Sequence, residues 1–181
     1  MGRVNVKGEP VMRSSVSSQL RDLRLEFEDL LYYESSLISS HQLEEWAELL
    51  HEDIRYWIPI RSNRQMGEED LSRPHLTCHI DDDRQTLLLR AQRVSGGFGY
   101  SDNPLPRVRH FVTNVRVLVS AENEAKVTSN VIVWRSHVGL PDHQLIGVRN
   151  DRWTKMDHGW LMIERQVILD HDIILGVGSI I

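Results

Sequence analysis

Two periods divide the chain. From Ser17, apolar residues recur at three- and four-residue steps, at Leu20, Leu23, Phe27, Leu30, Leu31 and Leu37, with Arg21, Asp22, Glu26 and Glu28 between them. That spacing lays one apolar stripe along a helix of about five turns. The helix is expected to end near Ser36, with Ser17 or Ser18 as its cap. A shorter helix follows, carrying Leu43, Trp46, Ala47 and Leu50 on one stripe. The run Ile54 to Ile60 is β-branched and aromatic, which predicts a strand, and Pro59 puts that strand at a sheet edge or marks its end. Asp81 to Asp83 are expected to open a third helix, because acids suit the positive end of the helix dipole. Leu87, Leu88 and Ala91 would supply its buried side.

Beyond Pro106 the period becomes two. Runs at about 107–120, 125–138, 144–157 and 160–171 alternate apolar with polar residues and read as strands. The breaks fall at Ala121 to Ala125, Gly139 to Asp142 and Asp157 to Gly159, where Gly159 provides the positive φ of a hairpin. Residues 61–74 and 95–106 are polar or rich in Gly and Pro and read as loops. Helices first and a long meander second predict an α+β fold, about three N-terminal helices covering one face of a curved antiparallel sheet. Residues 1–16 have no period and are expected to form a flexible N-terminal arm before a single domain, 17–181.

Composition narrows the function. The chain has 181 residues, one ordinary domain, with 40% hydrophobic and 26% charged residues, as in a globular protein. A net charge of -5 argues against a general nucleic-acid surface. No stretch approaches the ~20 apolar residues of a membrane span, and residues 1–10 lack the apolar core of a secretory signal. Cys78 is the sole cysteine, which fits a reducing cytoplasm and excludes an internal disulfide. It also excludes a Rieske cluster within the chain, which needs two Cys and two His. The cations are 18 Arg and 3 Lys, an excess that suits buried or interfacial carboxylate pairing.

Several residue groups carry candidate chemistry. His75 and His79 are four apart and are followed by Asp81, Asp82 and Asp83, the makings of a two-histidine, one-carboxylate iron site or merely a loop and a helix start. Gly96, Gly97 and Gly99 could be taken for a phosphate loop, but no clear helix follows them, so they read as a plain turn. Cys78 is a nucleophile if a cation lowers its pKa, and otherwise a small hydrophobe. Arg107 and Arg109 share one strand face and His110 takes the other. The two arginines would dock a carboxylate or pair with Asp81 to Asp83. Tyr32, Tyr33, Tyr56 and Trp57 would line a cavity or fill the core, and in a cavity His110 or Asp53 could serve as a general base.

The stretches Leu31-Tyr-Tyr-Glu-Ser-Ser-Leu37 and Glu45-Trp-Ala-Glu-Leu-Leu-His-Glu-Asp-Ile-Arg-Tyr-Trp-Ile-Pro-Ile-Arg61 resemble the small (β) subunit of aromatic-ring-hydroxylating dioxygenases. The likeness continues at His79 to Asp83, at Gly97-Phe-Gly-Tyr100, at Pro106-Arg-Val-Arg-His-Phe-Val-Thr-Asn-Val115 and from Trp160 through Arg165 to Asp170, covering about residues 17–172. It implies a cone-like fold shared with nuclear transport factor 2 and scytalone dehydratase. It also implies a non-catalytic subunit with no cofactor or metal of its own. The Rieske [2Fe–2S] cluster and the mononuclear non-haem iron would lie in a larger α subunit, in an α3β3 hexamer supplied with electrons from NADH. Tyr56, Trp57, Pro59, Arg107, Arg109, His110 and Asn114 are the matched positions and the structural or interface candidates. A self-sufficient isomerase or dehydratase acting on a small hydrophobic substrate is the alternative. The apolar tail beyond Asp172 is expected to be buried against a neighbouring strand or subunit.

Overall fold

The computed structural model describes residues 18–60, 78–95, 104–121 and 123–171. Helix α1 spans Ser18–Ser39 and α2 Leu43–Ala47; strands β1 (Leu50–Pro59) and β2 (Cys78–Asp83) precede α3 (Arg84–Ser95). Four long strands follow: β3 (Arg107–Ser120), β4 (Glu124–Ser136), β5 (His143–Met156) and β6 (Gly159–Leu169). They form one six-stranded sheet in the order β2-β1-β6-β5-β4-β3. The expected arm, the two loops around 61–77 and 96–103, and the apolar tail lie outside the described residues.

The first helix runs one turn beyond its expected end. His41 adopts φ 60°, and the backbone N–H groups of His41 and Gln42 return to the carbonyls of Ile38 (3.2 Å) and Leu37 (2.9 Å). This is the left-handed closure usually made by glycine. A histidine is held there by its ring, whose Nε2 lies 3.1 Å from the Pro106 carbonyl. Leu50, expected on the second helix, instead opens β1.

Asp81 to Asp83 do not open the third helix. They form the end of edge strand β2, paired with β1 through Trp57↔Asp81 and Arg55↔Asp83. Tertiary pairing overrides the local acidic signal because each carboxylate has a separate partner. Arg55 forks onto Asp81 with two bonds of 2.9 Å, and Arg90 Nε reaches Asp82 at 2.5 Å. Asp83 alone caps α3, accepting from the Thr86 N–H at 2.9 Å and its hydroxyl at 2.7 Å. The sheet is antiparallel except at one seam, where β1 and β6 run parallel. Pro59 ends β1, where the register with β2 shifts, but β1 lies inside the sheet rather than at its edge.

The sheet curls around α1 because its strands carry bulges. On β3 the inward residues are His110 and Val112, then Val115, so the parity changes between them. Asn114 sits at that change with φ 55°, and the register against β4 slips between Thr113 and Arg116. Asparagine tolerates the left-handed region better than most side chains. On β6 the same switch separates Trp160 and Met162 from Arg165 and Val167, opposite a register shift at Arg152/Trp153. The concave face buries Phe27, Leu31, Trp46, Tyr56, Ile58, Val131, Trp153 and Met162. Phe27 stacks obliquely on Trp160 and Trp153, with ring centroids 5.1 and 5.8 Å away.

Gly147, on the concave side of β5, approaches β6 so closely that a Cβ would stand 2.4 Å from the Ile168 carbonyl oxygen. Gly147→Ala should therefore cost about 1–3 kcal/mol, as overpacking does. Thermal unfolding should show a midpoint lower by roughly 2–4 °C for each kcal/mol lost; an unchanged midpoint would contradict this packing.

Candidate functional site

The concave face contains four ionised side chains at positions that the alternation reserves for apolar residues. Arg149 and Asp151 point inward from β5 between Leu145 and Trp153, and Arg165 points inward from β6. Glu34 sits on the buried stripe of α1 between Leu31 and Ile38. All four are buried. Arg165 binds both carboxylates in forks: Glu34 at 2.5 and 2.9 Å, Asp151 at 2.9 and 2.7 Å. Trp46 Nε1 donates to Glu34 at 3.2 Å, and Arg149 Nη1 stands 3.5 Å from Glu34 Oε2. Burial opposes charge on Glu34, but Arg165 and Arg149 outweigh it and hold its carboxyl down at about 2. Burial likewise opposes the charge on Arg165, and Asp151 and Glu34 overcome it, holding the guanidinium well above its ordinary range. The cluster joins α1 to β5 and β6, an anchor between the helix and the sheet.

The convex face divides in two. Toward β1 and β6, and on the parts of β4 and β5 nearest them, several polar groups satisfy each other. Thr128 donates to Asn150 (3.1 Å), Asn150 donates to Gln166 (3.2 Å), and Arg152 pairs with Glu164 (3.1 Å). Trp57 is buried here, with the Arg55 guanidinium 4.8 Å from its ring centre. On the β3–β5 side the face is open. Phe111, Ile132 and Ile146 form one row across three strands and are 50%, 38% and 39% exposed. Beside them runs the row Arg109, Trp134 and Gln144. Arg107 and Arg109 are exposed, and neither has an ion-pair partner among the described residues. Of the two readings of these arginines, the pairing with Asp81 to Asp83 is not made, because Arg55 and Arg90 occupy Asp81 and Asp82.

The remaining candidates separate. Tyr56 points into the core beside Arg165, its register partner on β6. Tyr32 and Tyr33 are half-exposed on α1 and do not fill the core, because the buried stripe passes through Leu31, Glu34 and Ser35. His110 is buried and its Nδ1 lies 3.1 Å from the Ser39 hydroxyl, tying β3 to the end of α1. Asp53 is exposed, with His51 and Glu52 beside it. Their ligand atoms lie within 4.8 Å of one another, the sole grouping of that kind among the described residues. His79 is exposed, and His75, the other histidine of the candidate iron triad, lies outside the described residues. Burial and Asp81 push the Cys78 thiol up, against Arg55, the opposite of what a nucleophile needs.

Residues 33–176 match the family model described as ring hydroxylating beta subunit. The benzene 1,2-dioxygenase subunit beta of Pseudomonas putida is 33% identical over 160 residues, 86% of each chain. The chain belongs to the ring-hydroxylating beta subunit family. Solved structures agree on the fold. One of naphthalene 1,2-dioxygenase with indole in its active site superposes with TM-score 0.77 at 21% identity, over 88% of this chain and 86% of that one. A nuclear transport factor 2-like protein with a cystatin-like fold, from Novosphingobium aromaticivorans, gives 0.56 at 17% identity over 90% and 92%.

In this beta subunit, the ion cluster is the feature that residue-by-residue reading missed. Its signal was present: charged residues at inward positions of an otherwise apolar alternation, and Glu34 within a helix stripe. The cluster also argues against a self-sufficient isomerase or dehydratase. A carboxylate held at about 2 stays ionised and committed to arginine, whereas a general base works best near the operating pH. Because its folded-state pKa lies below the ordinary 4.5, Glu34 stabilises the fold above pH ~4.5, and that stabilisation is lost as pH falls toward 2. It should be worth on the order of 3 kcal/mol. Urea unfolding from pH 6 to pH 2 should therefore show a steep loss that Glu34→Gln flattens. Arg165→Met, which strands two buried carboxylates, should cost roughly 3–5 kcal/mol at neutral pH.

Proposed function

We propose that this chain is the non-catalytic, structural subunit of a multicomponent dioxygenase acting on an aromatic hydrocarbon or aromatic acid. The reaction would add both atoms of O2 to the ring, with two electrons from NADH and two protons, to give a cis-dihydrodiol. The Rieske [2Fe–2S] cluster and the mononuclear iron belong, in this reading, to the larger α subunit, and the assembly is an α3β3 hexamer in the cytoplasm. One observation supports the structural role above others. The interior carboxylates are committed to arginine, while an open apolar and basic surface faces outward on β3, β4 and β5.

That surface is the proposed contact with the α subunit. Exposed aromatic, aliphatic and arginine side chains are the usual makings of an interface core, and an apolar partner face rimmed with acids would complement them. Tyr56, Trp57, Pro59, His110 and Asn114 take the structural part: they fill the core, end β1, tie β3 to α1 and form the β3 bulge.

Replacing both Arg107 and Arg109 by Glu should lower recovery of the complex on co-expression with the large subunit by about tenfold or more. The far-ultraviolet spectrum and unfolding midpoint of the free chain should not change; unfolding of the free variant would instead make these arginines internal supports. Metal analysis of the isolated chain should find no stoichiometric iron. One tightly held iron, lost in His75→Ala, would end the structural reading.

A further inference from the structure

Arg149 is fully buried, yet its hydrogen bonding is incomplete. Its Nε, Nη1 and Nη2 have no hydrogen-bond partner among the described residues. The nearest acid, Glu34 at 3.5 Å, already gives both carboxylate oxygens to Arg165. Directly across from Arg149 on β4 is Ser129, also inward and buried, whose Oγ likewise has no partner. A guanidinium offers five N–H groups and a hydroxyl one more. The two neighbours thus present a concentration of donors, and a charged group left without acceptors in the interior is strongly destabilising.

We propose that Arg149 and Ser129 form an internal binding site for a neutral oxygen acceptor the size of water. The charge count selects a neutral occupant. Glu34 and Asp151 balance Arg149 and Arg165, so an added anion would leave the buried cluster with uncompensated charge beside Glu34. The walls select a small one. Val167 flanks Arg149 on β6, and Val127 and Val131 flank Ser129 on its own strand, all buried. A bound water needs two to four polar partners, which the guanidinium edge and the serine hydroxyl supply. The site makes Arg149 a hydrated member of the cluster, distinct from Arg165, whose donors are met by carboxylates.

The test is a crystal structure of the full chain assembled with its large subunit, at about 1.5 Å, before and after a bromide soak. The expected result is solvent density about 2.7–3.2 Å from at least two Arg149 nitrogens, one peak also reaching Ser129 Oγ, without a bromide signal. No density, an anomalous bromide peak, or a protein carbonyl filling the place would overturn the proposal. A second measurement uses Ser129→Val and Ser129→Ala. Valine adds methyl bulk and removes the hydroxyl, so a hydrated site predicts an unfolding midpoint several degrees below that of the alanine variant. A midpoint for valine equal to or above alanine's would mean that the methyl fills dry space, and would overturn it as well.

Discussion

The double fork of Arg165 onto Glu34 and Asp151 fastens the long helix to the sheet it lies across. Apolar burial alone would let α1 slide or rotate within the curved sheet, since one aliphatic contact substitutes readily for another. A planar guanidinium gripping carboxylates on two different elements does not allow this. Such buried pairs often add little net stability, because desolvation consumes most of the Coulombic gain. Their effect here is better described as geometric: they set where Glu34, and therefore the whole of α1, stands against β5 and β6.

The two faces of the sheet follow different rules as a result. Inside, the core combines the aromatic packing of Phe27 on Trp153 and Trp160 with a buried set of four charged side chains. Outside, one half closes on itself through hydrogen bonds and ion pairs, and the other leaves Phe111, Ile132 and Ile146 in an exposed row. The bulges at Asn114 and opposite Arg152/Trp153 connect these arrangements. By switching which residues point inward partway along β3 and β6, they bend the sheet around the helix and also set which side chains reach the open convex face.

Much of this architecture was legible in the residues. The three- and four-residue spacing from Leu20 to Leu37 and the two-residue alternation beyond Pro106 report directly on which side of an element meets water, and both produced elements close to those observed. The family was legible too, because motifs such as Glu45 to Arg61 and Pro106 to Val115 occur in a shared order. The ion cluster was harder to read. Glu34, Arg149, Asp151 and Arg165 lie as many as 131 residues apart along the chain. A charged residue at an inward position marks an anomaly without naming its partner.

Local sequence determined the helices, the meander strands and the hairpin at Gly159, since these rest on spacing, backbone freedom and turn chemistry within a few residues. Tertiary structure decided the rest. Asp81 to Asp83 became a strand because β1 offered a ladder and Arg55 and Arg90 offered charge, which outweighed a favourable helix dipole. The parallel seam between β1 and β6 joins segments remote in sequence, and periodicity is silent about neighbours. Arg107 and Arg109 face outward for the same reason: of the two partners that local reading left open to them, Asp81 and Asp82 are bound by arginines that the fold brings closer.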